Sequence, residues 1–170
     1  MFSVEPIAVY NEIFNEKAKK YKNITLYPYA LGADEQNVEL VTSSQSGVLN
    51  TGMPHIYNSQ QDGKIENQDF IFNATMRKPS VLFANLDRID YIKCDIEGFE
   101  YIVFSDMKEI VRRYRPKVQV EVWSDNEKNM LELFDELGYT PYKLYKNQLV
   151  LQDESNCSIP GDYIFLPNKI

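Results

Sequence analysis

Apolar and polar positions along the chain change period several times, and each change marks an element. The opening "FSVEP" reads as a short strand ending at Glu5-Pro6, and Pro6 suits the first turn of a helix. Tyr10, Ile13, Phe14, Ala18 and Tyr21 then recur at helical spacing, with Lys17, Lys19 and Lys20 near the end. "NITLYPYALG" (23–32) reads as a strand closed by Gly32, and "ADEQNVELVTS" (33–43) as a turn plus a short strand, the second arm of a hairpin. Residues 43–68 are rich in Ser, Asn, Gln and Gly without periodicity, which predicts a long loop, either a lid or a disordered stretch. "DFIFNATM" (69–76) reads as a strand and "KPSVLFANLDR" (78–88) as a short helix after Pro79.

In the second half the alternation is more regular. "IDYIKCDI" (89–96) is a strand, and Phe99, Ile102, Val103, Met107, Ile110, Val111 and Tyr114 mark one face of a helix that Pro116 stops. "KVQVEVW" (117–123) is the next strand. Ser124 and Glu127 form a capping-box pattern, followed by the stripe Met130, Leu131, Phe134 and Leu137, with Gly138 ending the helix. "YKLYKNQLVLQD" (142–153) and "GDYIFLP" (161–167) close the chain as strands with no helix between them. Strand–helix alternation of this kind predicts an α/β domain: a mostly parallel sheet covered by helices on both faces, with an antiparallel C-terminal edge. A single domain over residues 1–170 is expected, without internal repeats.

Charge narrows the function. The net charge of −7 argues against a nucleic-acid partner and against an anionic membrane surface. No apolar run reaches the roughly 18 residues of a membrane span, and the start lacks the basic and apolar regions of a signal peptide, so a cytoplasmic location is the default. Of the two cysteines, Cys94 lies in an apolar strand and reads as a buried, inert thiol; no disulfide or metal pattern is present. His55, the single histidine, reads as a solvated loop residue. Trp123 and Tyr139, Tyr142 and Tyr145 read as packing residues, with sugar stacking as the rarer role.

The candidate chemistry lies at strand ends. In an open parallel sheet, ligands bind beyond the carboxyl ends of the strands. Glu5 ends the first strand, Asp95 and Glu97 follow "YIKC", and Glu121 lies near the end of "KVQVEVW". Asp95 could equally cap a helix, but an acid this close to an apolar strand needs partners if buried. Gly98 lets the backbone turn tightly, Glu100 reads as a first-turn helix acid, and Lys93 shares a strand face with Asp95 and reads as its ion-pair partner.

"IKCDIEGFE" (92–100) resembles the most recognisable motif of the FkbM family of methyltransferases. "VEP" (4–6), "NITLYPYALGADEQNVEL" (23–40) and "RRYRPKVQVEVW" (112–123) are similar to further segments of that family, in the same order. The resemblance implies a Rossmann-like methyltransferase fold that binds S-adenosylmethionine and methylates an oxygen of a small-molecule hydroxyl acceptor, a sugar, lipid or secondary metabolite. It matches Glu5 to the acid on the ribose hydroxyls, and Ala30 and Leu31 to the stretch beside the adenine. It matches Asp95 and Glu97 to the acids facing the methyl-transfer region, with Asp95 also on the cofactor side, and Glu121 to a strand-end acid near the acceptor. The same resemblance places a first strand and a glycine-rich turn before "VEP". Only four residues precede Glu5, and no two of the seven glycines are spaced Gly-x-Gly, so a truncated chain is expected. The alternative function is an inert Rossmann-like remnant serving as a binding or assembly module. A nucleotide-sugar enzyme ranks last, because it too needs a glycine-rich phosphate loop.

Overall fold

The computed structural model describes residues 1–45, 48–49, 54–58, 69–153 and 159–169. It divides into two compact units, Met1–Lys78 and Pro79–Ile170.

In the first unit, β1 (Phe2–Val4) pairs in parallel with β2 (Thr25–Tyr27), and α1 (Ala8–Ala18) connects them. The apolar stripe expected on α1 is only partly covered: no residue of the helix is fully buried and Ile13 is half exposed. The run 23–32 does not form one strand. Pro28 has no N–H to give to a ladder, and the chain splits there into β2 and β3 (Ala30–Leu31). A second sheet holds β3, β7 (Asp69–Arg77), β4 (Gln36–Gln45) and β5 (Val48–Leu49) in that order, and β6 (His55–Ile56) also pairs with β4.

The expected hairpin between 23–32 and 33–43 is therefore replaced. β4 pairs antiparallel with β7 from Gln36↔Met76 to Ser43↔Asp69, and β3 takes the opposite edge of β7. A two-residue strand offers β4 few ladder bonds, whereas β7 offers a full-length edge. Met76 is the hinge of this packing. It is buried, and a side chain at Gly32 would come within 2.3 Å of its sulfur, so a larger residue there requires the Met76 thioether to move. The loop expected over 43–68 is narrower than predicted, since β4 runs on to Gln45 and β5 and β6 follow; 46–47, 50–53 and 59–68 lie outside the described residues. His55 stands in β6 rather than in a solvated loop.

The second unit is built on a sheet ordered β11 (Gln148–Leu151), β10 (Tyr139–Tyr145), β12 (Tyr163–Pro167), β9 (Lys117–Val120), β8 (Tyr91–Cys94). Only β8 and β9 are parallel; the other three neighbours are antiparallel. The sheets are thus mixed rather than mostly parallel, while the antiparallel C-terminal part is present as expected. The reason is the placement of β12. It enters between β9 and β10, so the strand after the last helix meets an antiparallel neighbour instead of extending the parallel set. The β10–β11 hairpin turns through Lys146 and Asn147, both at positive φ (48° and 61°), the backbone that matches the twist of paired strands.

Among the described residues, four helices accompany this sheet: α2 (Pro79–Leu82), α3 (Glu100–Asp106), α4 (Lys108–Tyr114) and α5 (Ser124–Glu136). The single helix expected over 99–114 breaks at Met107, which leaves helical backbone (φ −85°, ψ 3°). The capping box does not form. Trp123 takes the cap position without a side-chain bond, and Glu127 instead accepts the Tyr163 hydroxyl at 2.5 Å. The core centres on Phe134, stacked on Phe165 at 3.9 Å and edge-on to Phe104 at 5.1 Å and Tyr139 at 5.4 Å. Beside it, burial pushes the Tyr139 hydroxyl up to about 12. Among the described residues, no helix is long and apolar enough to cross a membrane.

Candidate functional site

Parallel pairing of β8 with β9 sets the position of the acids. Cys94 is in register with Val120, the last residues of their strands, and the Glu121 N–H donates to the Cys94 carbonyl at 3.2 Å. The residues that follow, Asp95 and Glu121, thus leave the sheet side by side at one edge. Burial pushes the Cys94 thiol far up, which leaves it an inert packing group as expected.

The loop after β8 brings in the third acid. Glu97 adopts left-handed backbone (φ 57°) and Gly98 continues at φ 99°. A non-glycine residue in this region costs free energy, and the surrounding structure must hold it there. Glu100 does so. It is 1% exposed, and its carboxylate accepts the N–H of Ile96 at 2.9 Å and of Gly98 at 3.1 Å. On the other side Asn126 donates to the Gly98 carbonyl at 3.3 Å, tying the loop to the first turn of α5. The result is a constrained loop whose Asp95 and Glu97 meet Glu121 from the end of β9, with carboxylate oxygens of the three within 4.8 Å of one another.

Three carboxylates this close repel, and the environment responds. Glu121 is pushed above the usual carboxylate range by burial first and then by Asp95 and Glu97. Lys93 donates to Asp95 at 2.8 Å, as the shared strand face predicts, and that bond raises the lysine's own pKa. The arrangement has two chemical uses. A carboxylate of raised basicity can take a proton from a hydroxyl. Oxygen ligands at this spacing can also hold a hard divalent cation.

Glu5, Ala30 and Leu31 belong to the first unit. Glu5 follows β1, and its carboxylate accepts the Ile7 N–H at 2.8 Å just before α1. Partial burial raises its pKa, against the lowering effect of that N–H. Tyr10 is raised by burial and then by the Glu5 charge, so the two groups feel each other. Ala30 is buried in β3, and Leu31 beside it is half-buried.

Asp95 turns out not to be a helix cap, since α3 starts at Glu100 with Phe99 before it. Glu100 is more than the first-turn acid it resembles in sequence. The readable signal was its phase: positions 100, 103, 104, 107 and 111 share the buried side of the helical segment, so an acid at 100 had to be buried and bonded. Asn126 and Trp123 also escaped the sequence reading as loop supports. Nothing local links them to Gly98.

The family model of the methyltransferase FkbM domain matches residues 1–141. Comparison with curated proteins gives no match. Among solved structures, the methyltransferase FkbM of Methylobacillus flagellatus KT is similar, with a TM-score of 0.55 at 13% identity over 96% of this chain. At that identity the likeness speaks for the fold, and this chain spans 36% of the solved protein's length. With the family match covering most of its length, the chain belongs to the FkbM methyltransferase domain family.

Proposed function

We propose that this chain is the S-adenosylmethionine-dependent domain of an O-methyltransferase, a cytoplasmic enzyme whose acceptor is the hydroxyl of a small molecule. The observation that carries the reading is the group of Asp95, Glu97 and Glu121 at the carboxyl ends of the parallel pair β8–β9. The domain is taken to run over 1–170 with a Rossmann-like ancestry.

The residues suit the cofactor's chemistry. Glu5 has one carboxylate oxygen engaged by a backbone N–H and retains acceptor capacity for the two ribose hydroxyls. Ala30 and Leu31 offer apolar surface of the kind an adenine takes. When bound, S-adenosylmethionine supplies an electrophilic methyl group. The chain's part is to orient the acceptor hydroxyl and remove its proton. Glu121 is the proton acceptor, because burial and two like-charged neighbours raise its basicity. Asp95 is held by Lys93 and stays a positioning acceptor, and Glu97 is held toward the group by its strained backbone.

Isothermal titration with S-adenosylmethionine and S-adenosylhomocysteine tests the reading. Saturable binding that Glu5→Ala weakens is the expected result. The second reading, an inert binding module, is favoured by the lack of any Gly-x-Gly pair in the sequence. It predicts a folded chain that takes up neither compound.

A further inference from the structure

The geometry points to Trp123 as a stacking platform for the acceptor, and so to a pyranose ring, a sugar or glycoside, as the acceptor class. This rests on the methyltransferase reading of the neighbouring acids. Trp123 is the chain's single tryptophan, and it is 43% exposed at the point where β9 gives way to α5. Large aromatic surface left in water at the edge of a functional group is more informative than an exposed aliphatic side chain.

A methyl group built on Gly98 would lie 3.6–3.9 Å from three carbons of the six-membered ring, so the indole stands one methyl's reach from the Gly98 backbone. Asn126 ties the two sides of that contact, donating its backbone N–H to the Trp123 carbonyl at 2.9 Å and its side-chain amide to the Gly98 carbonyl. The indole therefore borders the residue directly after Glu97, and a tryptophan has only two side-chain torsions to fix when a ligand covers it.

Ligand chemistry follows from the two kinds of surface. Carboxylates accept hydrogen bonds from hydroxyls, and a carboxylate has room for two. An indole face carries negative quadrupole charge and attracts polarised C–H groups. A pyranose offers both: hydroxyls around its rim and a flat patch of axial C–H bonds. An acyl chain satisfies only the aromatic surface and leaves the acids unmatched. A quaternary ammonium ion satisfies charge and ring, but it presents no hydroxyl to methylate.

Saturation-transfer-difference NMR with methyl α-D-glucopyranoside, methyl α-D-mannopyranoside and methyl β-D-galactopyranoside tests this, with tetramethylammonium and 1-butanol as comparison ligands. At least one pyranoside should bind in the millimolar range and receive saturation mainly at ring C–H protons. Its binding should quench the single-tryptophan fluorescence of the wild type. Trp123→Phe should keep the affinity within a factor of about three, and Trp123→Ala should weaken it by about ten-fold, equivalent to 1.4 kcal/mol, with both variants still folded by circular dichroism. No pyranoside binding, equal binding by Trp123→Ala, or preference for tetramethylammonium or butanol would overturn the assignment. Cofactor titration is read separately. Pyranoside binding through Trp123 without cofactor uptake upholds the platform and sinks the methyltransferase reading, whereas cofactor uptake without pyranoside binding sinks the platform alone.

Discussion

Replacing Glu121 by glutamine should stabilise the protein while slowing it. At neutral pH the wild type holds three carboxylates with oxygens within 4.8 Å of one another. Two unit charges at that distance repel by about 0.9 kcal/mol at the dielectric of water, and by more where water is partly excluded. Glu121 faces two such neighbours, Asp95 and Glu97, and Lys93 already offsets part of the Asp95 charge. A gain of roughly 1–1.5 kcal/mol is the expected net, which for a chain of this size raises the melting temperature by about 3–5 °C. The pH dependence carries a definite sign. The folded-state pKa of Glu121 is raised above its ordinary 4.5, so the folded protein holds this proton more tightly than the unfolded chain does. Its contribution to stability is full below the unfolded value and is lost as pH rises through the folded one. Glutamine does not titrate, so the advantage of the variant is absent at low pH, opens as pH climbs above 4.5 and is complete once Glu121 is ionised. Added salt should shrink it. Thermal melts of both proteins across pH and ionic strength measure all of this. A variant that is less stable at neutral pH, or whose advantage does not change with pH, would refute the picture of a repulsive, partly buried acid group.

Three further outcomes follow. Phe134→Ala removes the ring shared by Phe104, Tyr139 and Phe165 at a fully buried site and should cost about 3–5 kcal/mol in urea denaturation. Glu100→Ala strips the Ile96 and Gly98 N–H groups of their buried acceptor in a part-buried loop and should cost about 2–3 kcal/mol, read by the same denaturation. Gly98→Ala meets no clash, since the added methyl lies 3.6 Å from Trp123, so its cost of about 1–2 kcal/mol should come from the positive φ alone, and Gly98→Asn should be milder.

The sequence made the second unit more legible than the first. From Ile89 to Gly138 strands and helices alternate with clear periods and firm stops, and β8, β9 and α5 lie where those periods place them. The acids at the ends of β8 and β9 were readable for the same reason, because a strand's last residue and the edge it points to follow from its run. What escaped was long-range pairing. The choice of β7 over β3 as the partner of β4, and the entry of β12 between β9 and β10, depend on which edges are long enough and available, and no local pattern encodes that. The same limit hid the loop supports. Glu127 looks like a capping residue until Tyr163, 36 residues away, claims its carboxylate.

The central claim is that the acids at the β8–β9 edge serve methyl transfer to a hydroxyl. Incubation with methyl-labelled S-adenosylmethionine and the pyranoside panel tests it most directly, comparing wild type with Glu121→Gln. The account predicts label in a base-stable methyl ether of the acceptor, formed by the wild type and slowed about 10²- to 10⁴-fold in the variant. A wild-type protein that binds the cofactor and the acceptor yet transfers no label, or a Glu121→Gln variant that transfers it as fast, would contradict the account.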